Sequence, residues 1–147
     1  MTMKELLKEL CLIDGVSGDE TAVREAITEK IKNVCDEYYT DKLGSLICFK
    51  KGRKTPAHKL MICAHMDEVG FIVTSVRSDG TLTFDTVGGV DASVVIGRQV
   101  RVGKARINGV IGSTAIHNLS KEQREKAPKI KELYIDIGAD GKEEAEK

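Results

Sequence analysis

The feature that most constrains the fold is an unbroken apolar run, Leu60-Met61-Ile62-Cys63-Ala64, set between polar neighbours. Alternating apolar and polar residues mark a half-buried strand. An unbroken run predicts instead a strand covered on both faces, as in the sheets of α/β proteins. What precedes it fits such a domain. Thr2-Met3-Lys4-Glu5 has the form of a capping box, and Leu6, Leu7 and Leu10 share a helical stripe behind it. Ser17 and Glu20 form a second S-x-x-E box. The helix it predicts carries Val23, Ala26, Ile27, Ile31 and Val34 at helical spacing. From Tyr38 the period changes. Tyr38 to Thr40 and Leu46 to Phe49 read as strands joined near Leu43-Gly44-Ser45, and Lys50 to His58 as a polar connection. The order helix, helix, strand, strand, strand predicts the opening of a layered α/β domain over residues 1–70.

Residues 71–147 have a different character. Phe71 to Val76 and Thr81 to Thr86 flank Ser78-Asp79-Gly80, a hairpin signal. Val87 to Asp91 reads as a loop. Gln99 to Val102, Lys104 to Ile107 and Val110 to Ile111 read as short strands separated by Gly103 and Asn108-Gly109. Ser120 to Gln123 is a third capping box, and Leu133 to Ile137 a last strand. The 14 glycines against 2 prolines suit a module of many tight turns. The chain ends in Lys142-Glu143-Glu144-Ala145-Glu146-Lys147, which begins like a helix but shows no apolar stripe to dock. That predicts a chain ending inside an element, with the β-rich module incomplete.

Charge excludes some functions. Lysine plus arginine and aspartate plus glutamate balance at 23 each, which argues against a nucleic-acid footprint. No apolar run approaches the roughly 20 residues of a membrane span. The amphipathic N-terminus lacks the apolar centre of a signal peptide, so a cytoplasmic chain is expected. Cys11, Cys35, Cys48 and Cys63 have no CxxC spacing and sit among apolar residues, which predicts reduced, buried thiols.

The chemistry-bearing residues follow the apolar run directly: Ala64-His65-Met66-Asp67-Glu68-Val69-Gly70. In a strand, His65 and Asp67 project to one side. Open α/β sheets place their ligand sites at such carboxyl ends. A neutral imidazole is a good zinc ligand, and a carboxylate two residues on can orient it. The plainer alternative is a hydrogen-bonded pair at a strand end. Glu68 faces the other way and reads as structural. His117 reads as a loop histidine with local hydrogen bonds and His58 as a surface residue. An anion site at the start of the second helix is conceivable, but capping alone explains those residues.

The string Met61 to Phe71, "MICAHMDEVGF", resembles the first metal motif of the glutamyl-aminopeptidase-like family of two-metal cytosolic aminopeptidases. Gly15-Val16-Ser17-Gly18-Asp19-Glu20 and Asp41-Lys42-Leu43-Gly44-Ser45-Leu46 resemble earlier motifs of that family, with Ser45 where Asn is common. Val87 to Asp91, Gly109 to Ser113, His117, Lys126-Ala127-Pro128 and Tyr134 to Ala139 follow the order of its inserted dimerisation domain. The resemblance implies removal of N-terminal residues from peptides by a water held between two divalent metals, zinc or cobalt. It implies that His65 is a metal ligand, and that Asp67 serves catalysis by supporting that histidine. It implies a PDZ-like barrel insert from 71 onward that pairs subunits. The family's remaining ligands and its general base follow the insert, so this chain supplies one ligand. The resemblance therefore also implies a partner, either further copies or a complementary C-terminal fragment. A non-catalytic assembly module derived from the family is the alternative.

Overall fold

The computed structural model describes residues 1–54, 57–118, 120–126 and 128–147. The polar connection over 50–58, the stretch ending at Leu119 and the Lys126-Ala127-Pro128 motif each include a residue outside that set. The chain divides into two compact units, Met1–Glu68 and Val69–Lys147.

The first unit opens with α1 (Met3–Cys11) and α2 (Thr21–Ile31). Thr2 Oγ1 accepts the Glu5 amide while Glu5 accepts the Thr2 amide at 2.7 Å, so the first capping box forms. The second does not. Glu20 occupies the N-cap of α2 without a side-chain cap bond, and its carboxylate accepts the Gly18 amide at 2.6 Å. Val23 is the buried apolar residue of α2, and Lys30 reaches Glu9 of α1 at 2.7 Å. Strands β1 (Glu37–Thr40) and β2 (Leu46–Phe49) pair antiparallel, Glu37 opposite Phe49 and Thr40 opposite Leu46. Asp41 shapes the turn between them by accepting the amides of Leu43 and Ser45 at 2.9 and 2.8 Å.

The strand expected at Leu60 to Ala64 does not form. Leu60, Met61 and Ile62 are 87%, 84% and 86% exposed. Composition favours burial, but a strand needs a hydrogen-bonding neighbour. Here β1 and β2 pair with each other, and 60–64 joins no ladder among the described residues. The cysteines are free, as expected, but Cys11, Cys48 and Cys63 are exposed rather than buried. Apolar neighbours in sequence give these thiols no cover in space.

The second unit holds a five-stranded sheet in the order β3-β4-β7-β6-β5. Its strands are β3 (Gly70–Val76), β4 (Leu82–Val87), β5 (Gln99–Val102), β6 (Ile107–Ser113) and β7 (Leu133–Asp136). All neighbours run antiparallel. The β3–β4 hairpin turns where Ser78-Asp79-Gly80 predicts, with the Arg77 amide on Thr81 O at 2.8 Å. A register shift between Val73 and Ser75 bends β3. Period-2 alternation puts Leu82 and Phe84 of β4, Ile111 of β6, and Leu133 and Ile135 of β7 into one core. Val95, on the short helix α3 (Ala92–Val95), completes it. Phe71 meets Phe84 edge to face at 4.9 Å between ring centroids.

Two expectations fail in this unit. Lys104 to Arg106 lie in a turn, with Arg106 at φ 54°, and only Ile107 of that stretch is strand, as the start of β6. Asn108-Gly109 is not a separator but the interior of β6. Gly109 is needed there for close approach, because a Cβ would sit 2.8 Å from Ile135 Cγ2. The remaining elements are short: a 3-10 turn at Ile116–Asn118, α4 (Lys121–Arg124), a 3-10 turn at Ile130–Glu132 and α5 (Lys142–Ala145). The C-terminal segment does dock, through the single residue Ala145 against the core. No helix among the described residues is long and apolar enough to cross a membrane.

Leu133 is 1% exposed at the centre of this core. Replacing Leu133 by Ala is expected to cost about 2–5 kcal/mol of unfolding free energy by lost transfer and cavity formation. Urea denaturation followed by circular dichroism measures it. A change below about 1 kcal/mol would contradict the packing described.

Candidate functional site

The site is built from two segments of the first unit far apart in sequence. Residues 15–17, in the loop between α1 and α2, lie beside residues 65–68. Val16 and Glu68 form a parallel bridge. The Glu68 amide donates to Gly15 O at 2.7 Å, and the Ser17 amide donates to Glu68 O at 3.3 Å. Glu68 adds its side chain, accepting the Gly15 amide on Oε1 at 3.2 Å. Its role here is structural: it clamps the loop.

Gly15 seats that clamp against α2. It is buried, and a Cβ would lie 2.5 Å from Cγ2 of Val23. A side chain at position 15 therefore has to displace the buried residue of α2.

The clamp brings three polar side chains into a line. Ser17 Oγ donates to Asp67 Oδ2. Asp67 Oδ1 lies 3.1 Å from His65 Nδ1, which is also 3.1 Å from the Asp67 carbonyl oxygen. The His65 side chain is 85% exposed and that of Asp67 39%. The hydrogen bond from Ser17, with a further one from His65, holds the Asp67 carboxyl below its ordinary range. An ionised carboxylate only accepts, so the proton of the Asp67–His65 contact resides on Nδ1. In the neutral ring Nε2 then keeps its lone pair, and the ring is open to solvent. This is the arrangement that prepares an imidazole to bind a metal.

His65 and Asp67 are thus brought together as their spacing predicts, although no strand carries them. His117 and His58 are exposed and take no part in this line. Among the described residues, no group of three or more His, Cys, Asp and Glu side chains is gathered so as to hold a metal ion. Sequence reasoning missed Ser17, whose S-x-x-E spacing reads as a cap. Its partner lies 50 residues away, a pairing that spacing does not reveal.

Comparison with known proteins bears on this geometry. The M42 glutamyl aminopeptidase family matches over residues 44–147, which includes His65 and Asp67. This chain belongs to that family. Lysyl aminopeptidase of Pyrococcus furiosus is 36% identical over 97% of the chain and 41% of its own length. The TET aminopeptidase of a marine sediment archaeon, Thaumarchaeota archaeon SCGC AB-539-E09, superposes with a TM-score of 0.87 at 39% identity. That match covers 97% of this chain and 40% of the other. The TET1 peptidase of Pyrococcus horikoshii, described as assembling into a tetrahedron or a large octahedral shell, gives a TM-score of 0.81 at 37% identity. There the match covers 98% of this chain and 43% of the other. The chain spans about 40% of the length of the curated relatives it matches. The fold is accordingly the α/β fold of the M42 aminopeptidases over the part present here.

Two outcomes follow from the site. Gly15→Ala is expected to destabilise the first unit by about 1–3 kcal/mol through overpacking against Val23, read by denaturant unfolding of the variant. The second concerns pH. The folded-state pKa of Asp67 lies below its unfolded value. Its contribution to stability is therefore fully present above the unfolded pKa and disappears as pH falls through the folded one. A carboxyl 13C titration should place the Asp67 midpoint below that of an unstructured aspartate. A midpoint at or above the ordinary value would contradict the hydrogen bonding at Asp67.

Proposed function

We propose that this chain serves a metal-dependent aminopeptidase that hydrolyses N-terminal residues from peptides. In this reading His65 is a ligand to one of two divalent ions, zinc or cobalt, and Asp67 fixes the ring. The observation that carries it is the outward-facing imidazole with its Nδ1 held by an ionised carboxylate. Membership of the M42 family supports it.

The donor set limits what these residues do. A catalytic metal normally takes three protein ligands, and the described residues offer His65 without two companions. They fit one coordination position and not a whole centre. When bound, a two-metal centre of this kind supplies an activated water and polarises the scissile carbonyl. The part played by this chain is to orient one imidazole so that the lone pair of the neutral ring lies on Nε2.

The same reading gives residues 1–70 to the catalytic α/β domain and 71–147 to a PDZ-like dimerisation insert. It makes the protein a cytoplasmic homo-oligomer. Exposed apolar residues support association: Leu60, Met61 and Ile62 in the first unit, Ile72 and Val73 on strand β3 in the second. A second reading, a non-catalytic assembly module, is favoured by the same shortage of ligands and by the independent core of the second unit.

Hydrolysis of aminoacyl-anilides with added zinc or cobalt, in the protein as its own cells make it, separates the two. His65→Ala is expected to abolish metal-dependent turnover. Asp67→Asn is expected to weaken metal affinity roughly 10–100-fold. Turnover that survives His65→Ala would overturn the aminopeptidase role of this site, and no turnover under any metal would favour the assembly module.

A further inference from the structure

We infer that Ser17 is a positioning residue, whose hydroxyl locks the Asp67 carboxylate so that Asp67 in turn locks the His65 ring. The inference rests on the reading of His65 and Asp67 given above and adds to it a third member.

Four observations carry it. First, an aspartate side chain turns freely about its last torsion unless both oxygens are engaged. Asp67 is part-exposed, and its two oxygens meet different donors, Ser17 Oγ on Oδ2 and His65 Nδ1 on Oδ1. Second, Ser17 is itself held. Its amide is bonded to Glu68 O, and its neighbours Gly15 and Val16 are paired with Glu68. Third, the hydroxyl is not spent on the helix start, since α2 has no side-chain cap bond and Glu20 takes the Gly18 amide instead. Fourth, the order of the three groups excludes a nucleophile. In a hydroxyl–imidazole–carboxylate triad the imidazole sits between the others and takes the hydroxyl proton. Here the carboxylate sits between, so Ser17 faces no imidazole and acts through Asp67.

A solvent-exposed neutral imidazole otherwise favours the Nε2–H tautomer. The lock predicts the opposite tautomer at His65, and this is readable without metal or substrate. The experiment is long-range 1H–15N correlation on the whole chain with labelled histidine, above the imidazole titration, His65 being assigned with His65→Gln. The wild-type chain should show mainly Nδ1–H. Ser17→Ala should lower the Nδ1–H to Nε2–H ratio roughly two- to tenfold, the equivalent of one hydrogen bond. Ser17→Thr, which keeps the hydroxyl, should restore it. Ser17 is exposed, so Ala should leave the circular dichroism unchanged; Ser17→Cys, nearly isosteric with a weak donor, gives the same comparison should Ala disturb the fold.

Asp67→Ala is the control that separates the two claims. If Asp67→Ala abolishes the preference while Ser17→Ala and Ser17→Cys leave it intact, Ser17 has no positioning role and the His65–Asp67 pair stands. If Asp67→Ala also leaves it intact, the pair itself is wrong and the inference falls with it.

Discussion

The candidate site depends on one backbone contact, the parallel pairing of residues 15–17 with Glu68. Without it Ser17 and Asp67 would be separated by 50 residues of chain. The pairing is short, but it is reinforced from both directions. Glu68 accepts from the Gly15 amide with its side chain while its own amide and carbonyl bond the same loop. Gly15 meanwhile presses on Val23, so the loop is fixed to α2 as well as to residues 65–68. A loop positioned by hydrogen bonds on one side and by packing on the other has few ways to move. That is what an oriented hydroxyl requires.

The two units reach order by different means. Six of the seven buried apolar side chains among the described residues belong to the second unit. There strand alternation gathers them on one face, and the hydrophobic term does most of the stabilising. The first unit has Val23 alone in that class. It relies on polar devices instead: the Thr2 cap, the Lys30–Glu9 ion pair, the Asp41 turn and the Glu68 clamp. Such bonds contribute about 0.5–1.5 kcal/mol each. They position groups well and hold a domain together weakly.

Local signals were legible in the sequence, and signals that need a distant partner were not. The Thr2 cap, the join of β1 and β2 near Leu43-Gly44-Ser45 and the hairpin at Ser78-Asp79-Gly80 follow from residues a few positions apart, and each forms. The His65–Asp67 pair is local too, and it forms without the strand that was expected to carry it. The failures share one cause. The run at 60–64 predicts burial, but burial is conferred by neighbours. Ser17 has the spacing of a cap because Glu20 is near, while the group it bonds is far along the chain. Gly109 has the look of a separator because glycine usually marks a turn; its reason for being there is the Ile135 side chain on the adjacent strand β7.

The uncovered run and the histidine are joined by the main chain, and this divides the control of His65 into two parts. Its ring is oriented from the carboxyl side, through Asp67 and the loop that Glu68 clamps. Its backbone is anchored on the carboxyl side at Glu68, while on the amino side Leu60, Met61 and Ile62 are exposed. Burying such side chains is worth about 1.5–3 kcal/mol each. That is about twice the 0.5–1.5 kcal/mol of a typical hydrogen bond. Covering the run would therefore add a restraint on the amino side of His65 beside the Glu68 pairing that already holds its carboxyl side. Orientation is built into this chain by local chemistry, and the Glu68 pairing fixes the segment that follows the ring.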